Sequence, residues 1–168
     1  VWARVASLLF PKDYVRHRLA PSPITDTVDP TGSFLFDPRN SRWIEGFARD
    51  LELAPSALPK PRRPLEIAGR VGPDGAADTG LPKGTSILTG TTDTAAEVLG
   101  AGATQPGQAI VKLSSVGRLM IVYEEPIPGS HRLNYPHVRP HWAVVSRVGH
   151  QVRGGCLPLG PAAPSGPT

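Results

Sequence analysis

The 168 residues suffice for one domain, and the 20 Pro and 18 Gly follow no collagen-like period. With 39% hydrophobic but only 6% aromatic residues, the core is modest for the length. The net charge of +4 is scattered, with no basic run longer than Arg62-Arg63, which argues against a nucleic-acid partner; the single Cys156 excludes an internal disulfide framework and a cysteine-based metal site; no apolar run reaches membrane-spanning length. A cytoplasmic origin is the default, with no signal peptide visible, although the first residue is Val1 rather than Met.

In chain order, Val1 to Leu9 carries Val1, Trp2, Val5, Leu8 and Leu9 at helical spacing. Pro11 interrupts, and Asp13 to Leu19 resumes as a second short helix, with Tyr14 expected against the core. Ile24 to Gly32 is polar and turn-rich. Asp26 and Asp29 there could form an acid/base pair, but Asp in such a loop more often bonds nearby backbone N–H groups. Ser33 to Asp37 reads as a strand, and Ser41 to Leu53 as an amphipathic helix with Trp43, Ile44, Phe47 and Leu51 on one face. Ala54 to Arg63 is a Pro-rich extended connection. Pro64 to Val71 is a strand, and Gly72 to Gly80 a helix shortened or frayed by Asp74-Gly75. The following GLPKGTS lacks the Walker A spacing and is a turn feeding a strand.

Thr85 to Gly102 is the stretch the rest is arranged around. Ser86-Ile87-Leu88 is a strand, Gly90-Thr91-Thr92 a turn, and Asp93 stands at its end. Thr94 to Leu99 is a short helix stopped by Gly100 and Gly102. A carboxylate at a strand-to-helix junction lies where open α/β sheets place their ligands, and a helix start offers free N–H groups to a phosphate. On local pattern alone, Asp93 reads first as a helix cap. Strands follow over Gln108 to Leu113 and Arg118 to Tyr123, joined through Ser114-Ser115-Val116-Gly117. Glu124 to Pro140 reads as loop. His131, His137 and His141 lie there with no nearby carboxylate, and solvent-facing or stacking roles outweigh metal binding; no metal-ligating set is assigned.

Several of these segments resemble one family, the FGGY carbohydrate kinases, and within it the xylulokinase-like branch. GTTDTAAEVLGAG, residues 90–102, resembles that family's GGGDxAAGAVGxG. Phe10 to Leu19 resembles LPKDYLRxRL, Thr25 to Ser33 resembles TDxSDAsGT, Arg42-Trp43 matches the RxWS helix, and Gly80 to Thr85 matches TGLPxGTPV. The matches are collinear from about Val1 to Pro140. The resemblance implies an α/β fold: part of an actin-like, ribonuclease H-like sugar-kinase fold, an incomplete sheet with flanking helices. It implies residues 1–104 as the later part of the first kinase domain and 105–140 as the start of the second, nucleotide-binding one.

By the same resemblance, Asp93 is the general base for phosphoryl transfer from ATP to a sugar hydroxyl, with Mg²⁺ as the accompanying ion. Gly90, Ser114, Ser115 and Gly117 are the expected nucleotide-phosphate contacts. The family's LGTSG hairpin has Ser114 in place of Gly and Val116 in place of Ser here, which argues against tight ATP binding. No DxGT hairpin occurs in these residues, so the chain alone is expected to be inactive, and open strand edges predict aggregation. The implied partners are a xylulose-like sugar and ATP in a complete enzyme, with no nucleic acid and no membrane; the oligomeric state is open. The alternatives are a non-catalytic remnant of pseudogene type or a small basic binding module.

Residues 141–168 contain no Asp or Glu, and Gly154 to Thr168 holds four Gly and four Pro. With GC-rich codons, a shifted frame from His141 can read GRWYPGSGTKSA, the turn and helix the family carries here. The tail is therefore expected to be frame-shifted, or else a disordered Pro/Gly segment.

Overall fold

A computed structural model describes residues 5–113, 117–127, 132–139 and 144–149. Ser114, Ser115, Val116, His131, His141, Trp142 and the tail from residue 150 lie outside them, as do Val1 and Trp2.

Helix α1 spans Pro11–Leu19, with Pro in the first turn, where its missing N–H costs nothing. Val5 to Phe10 is not helical, contrary to the spacing of its apolar residues; instead the Leu8 N–H donates to the Ala57 carbonyl at 2.8 Å. The buried side of α1 is ionic. Asp13 and Arg16 are buried, while Tyr14, expected in the core, is 56% exposed.

Strand β1, Ile24–Asp26, occupies the start of the stretch read as loop. It pairs in parallel with β4, Lys60–Arg62, the segment read as a surface connection. A 3-10 turn over Asp29–Ser33 leads to β2, Phe36–Asp37, which pairs antiparallel with β3, Arg42–Trp43. Trp43 is thus a strand residue, its indole N–H on the Pro59 carbonyl at 2.8 Å and its ring edge-on to buried Phe36 at 5.3 Å. Helix α2 is only Glu45–Asp50. Its buried residue is Ala48, whereas Ile44, Phe47 and Leu51, the expected core face, are exposed.

Strand β5, Ile67–Arg70, and β6, Ser86–Leu88, form an antiparallel pair around α3, Pro73–Thr79. Helix α4, Asp93–Gly100, follows β6. The remaining strands are β7, Ala109–Lys112, β8, Arg118–Tyr123, β9, Arg132–Pro136, and β10, Val144–Gly149. They form an antiparallel sheet in the order β7-β8-β10-β9. One correction falls here: β9 lies in the Glu124 to Pro140 segment read as loop. Strand β10 lies in the 141–168 segment expected to be frame-shifted or else disordered.

Two apolar clusters meet on α4. Val98 packs with Ala103, Met120 and Val122, flanked by Ile110; Ala95 packs with Val28 and Val138, flanked by Leu99 and Tyr135. Burying Val98 and Met120 almost completely is worth about 1.5–3 kcal/mol each, and it fixes α4 against the β7–β8 hairpin across the expected 104/105 boundary. Among the described residues, no helix is long and apolar enough to cross a membrane.

Candidate active site

The turn between β6 and α4 is held from both sides. The Thr89 N–H donates to the Glu66 carbonyl at 2.8 Å and the Gly90 N–H to the Pro64 carbonyl at 3.0 Å. Gly90 has φ +81°, a region L side chains seldom enter, and open space lies where a Cβ would stand. Thr92, not Asp93, is the cap: its hydroxyl accepts the Ala95 N–H at 3.2 Å. Asp93 is the first residue of α4 and is exposed. Its Oδ1 accepts the Thr94 N–H at 2.6 Å and the Thr94 hydroxyl at 3.3 Å, leaving Oδ2 free of protein hydrogen bonds among the described residues. A carboxylate at a helix start is favoured electrostatically by the helix dipole. With one oxygen held and the other presented, it can accept a proton from an incoming hydroxyl.

Beneath the turn lies a buried ionic cluster. Lys12 Nζ is 2.6 Å from Asp13 Oδ1, 2.9 Å from Asp26 Oδ1 and 3.4 Å from Asp29 Oδ2. Arg16 Nη1 donates to Asp13 Oδ1 at 2.8 Å and to the Thr89 carbonyl at 2.7 Å, and Nη2 donates to the Ile24 carbonyl. Burial pushes the Lys12 ammonium down, but the Asp26 charge and hydrogen bonds to Asp13 and Asp26 outweigh it and hold Lys12 above its ordinary value. Burial pushes the Asp29 carboxyl up by more than Lys12 pulls it down. Asp26 accepts the Val28 N–H at 3.0 Å and the Asp29 N–H at 3.3 Å, so it does bond nearby backbone as its loop reading expects. It also accepts the Thr91 hydroxyl, 65 residues on, at 3.1 Å, a link the sequence reading missed. Lys12, Asp13 and Arg16 went without a role there too. The signal was available: a helix whose acid and base recur at i and i+3 has little apolar face to bury.

Gly117 immediately precedes β8, and open space lies where its Cβ would stand. Lys112, the last residue of β7, forms an ion pair with Glu97 in the second turn of α4. The Lys112 end of β7 therefore lies beside the second turn of α4. Ser114 and Ser115, in the β7–β8 hairpin, are outside the described residues. No three His, Cys, Asp or Glu side chains gather as metal ligands among the described residues.

Residues 1–100 match the family model described as "FGGY family of carbohydrate kinases, N-terminal domain". A xylulose kinase of Streptomyces coelicolor is 36% identical over 115 residues, 67% of this chain and 23% of that protein. A xylulose kinase of Bacillus subtilis is 27% identical over 125 residues, 74% of this chain and 25% of that protein. The crystal structure of xylulose kinase from Rhodospirillum rubrum superposes with a TM-score of 0.78 at 22% identity, covering 84% of this chain and 29% of that one. The chain thus spans about a quarter of the length of the curated relatives it matches.

Proposed function

The chain belongs to the FGGY family of carbohydrate kinases, and from that premise we propose that it carries the catalytic-base side of an ATP-dependent xylulose kinase. Its mixed helix-and-strand fold is a part of the actin-like, ribonuclease H-like sugar-kinase fold, with an incomplete sheet.

The observation that carries the reading is the exposed Asp93 carboxylate at the start of α4, relieved of capping by Thr92. A sugar hydroxyl is a poor nucleophile until its proton leaves. Asp93 takes that proton as the oxygen bonds to the γ-phosphorus, and the bond from phosphorus to the ADP oxygen breaks as it forms. Such a base contributes typically 10²–10⁴-fold, and positioning with charge neutralisation supplies most of the rest. Gly117 and Gly90, with open space in place of a side chain, let backbone approach a phosphate. The described residues offer no cluster for Mg²⁺, and Mg²⁺ commonly rides on substrate phosphates with only one or two protein carboxylates. The 168-residue chain by itself is expected to give no sugar-dependent ADP formation.

The test is a chimera in which residues 5–100 replace the matching segment of the Streptomyces coelicolor xylulose kinase. Xylulose-dependent ADP formation should persist, and Asp93→Asn in the chimera should lower kcat by about 10²–10⁴-fold. A soluble chimera that binds ATP yet turns over no sugar defeats the reading. So does an Asp93→Asn form with full turnover.

A further inference from the structure

We propose that Asp26 and Arg16 are positioning residues for the Asp93 turn, acting through Thr91 and the Thr89 carbonyl. Only the naming of Asp93 as the base rests on the function proposed above; the latch itself does not.

Asp13, Asp26 and Arg16 are buried at 0%, 0% and 5% exposure, and Lys12 is largely covered. Taking these charges from water costs several kcal/mol per ion, and an apolar cluster of the same volume is often as stable or more so. The cluster is not even fully satisfied, since Asp13 Oδ2 and Arg16 Nε have no hydrogen-bond partner among the described residues. Stability alone therefore gives a weak account of it, and its geometry gives a better one.

Two members of the cluster, Arg16 and Asp26, reach the same turn. Arg16 reaches the Thr89 carbonyl at 2.7 Å, just before Gly90. Asp26 Oδ2 receives the Thr91 hydroxyl at 3.1 Å, just after it. The two attachments bracket the one residue of the turn with positive φ. Arg16 and Asp26 are themselves tied together, through Asp13 Oδ1 and Lys12 on one side and the Ile24 carbonyl on the other. Two residues past the second attachment stands Asp93. A glycine turn left to itself samples many conformers, and pinning it at both flanks fixes the direction in which α4 and its first carboxylate leave. The device depends on a hydroxyl at residue 91, where the resembled GGGD motif has glycine.

The test uses the 168-residue chain without substrate. Thr91→Val keeps the branched shape and removes the hydroxyl; Thr91→Ser restores the hydroxyl on a smaller frame. Amide hydrogen exchange at Gly90 and Thr94 should speed up about tenfold in Thr91→Val, the scale of one lost hydrogen bond to a charged group, and return to within about twofold in Thr91→Ser. The Asp93 carboxyl ¹³C chemical shift should move in the first variant and return in the second. Exchange at Met120 and Val122 should stay unchanged in both. If Thr91→Val loses protection there as well, it has not folded, and Thr91→Ala replaces it with no added bulk. Unchanged exchange at Gly90 and Thr94, or an unchanged Asp93 signal, in a folded hydroxyl-free variant overturns the proposal. In the active chimera the same variants should lower kcat and leave the sugar KM in place; an inactive chimera would defeat the kinase reading without touching the latch.

Discussion

Thr92 Oγ accepts the Ala95 N–H, one of the amides that a helix start leaves unpaired, and this releases Asp93 from that duty. Thr92→Ala should cost about 1 kcal/mol, read as a lower urea midpoint with an unchanged slope. Local pattern named Asp93 as the cap, and the cap is Thr92 one position earlier, because both are good capping residues and spacing alone does not separate them. Asp29 carries a different prediction. Its carboxyl is held above the ordinary 3.8, chiefly by burial. A raised carboxyl stabilises the fold fully below 3.8 and loses that contribution as pH rises through the folded value. The ionised group therefore weighs on the fold at neutral pH. Asp29→Asn should raise the thermal midpoint at neutral pH, and the difference should close as the pH falls below 3.8. An Asp29→Asn form less stable than the parent at neutral pH contradicts the sign. Lys12 runs the same way in a higher pH window: it supports the fold below 10.5 and ceases to as pH climbs through its raised value.

Helices α1 and α3 cross where a side chain cannot go. A Cβ on Gly75 would lie 2.7 Å from the Leu19 carbonyl oxygen and 2.8 Å from its Cα, and the Gly72 N–H donates to the same carbonyl at 2.9 Å. Read from sequence, Gly75 only weakens a helix; in the fold it is the residue that lets two helices touch. Gly75→Ala gains helix propensity yet should destabilise by about 1–3 kcal/mol, because backbone rather than a flexible side chain must move. Denaturant unfolding of that variant decides between the two effects. The elements that were legible are those with local signals: β5, β6, α3, α4, β7 and β8 stand within a few residues of where pattern and turn chemistry place them. The elements that were missed depend on distant partners. The pairing of β1 with β4 joins residues 24–26 to 60–62, and Pro61 gives no sign of it. Strand β10 finds its partners in β8 and β9, so its Val-rich run, suited to a strand, is ordered by neighbours earlier in the chain. Helix α2 fails in the opposite sense, since its apolar period is real but only Ala48 is covered.

At the scale of the whole molecule, several large apolar side chains remain on the outside. Phe34 is 82% exposed and Leu113 85%, with Val15, Val111, Ile67, Phe47 and Leu51 at or above half exposure. Phe34 also stands at φ +61°, a conformation non-glycine residues rarely hold. Scattered exposed leucines are ordinary, but contiguous apolar surface drives association. Short ladders add to it: among the described residues three of the four sheets are two-stranded, so most of these strands have an edge without a partner. Leu113 follows β7, which is itself an edge of the four-stranded sheet. The 168-residue chain should therefore self-associate with rising concentration and bind a hydrophobic dye while folded. Phe34→Asp combined with Leu113→Lys should lower both effects without lowering the unfolding midpoint, since neither side chain buries much surface to lose. Sedimentation velocity over a concentration series separates the outcomes. A parent chain that stays monomeric throughout would show that these faces are covered within the chain itself. Association undiminished in the double variant would move the sticky surface to the open edges, where a charge placed in β7 at Val111 is the next substitution to measure.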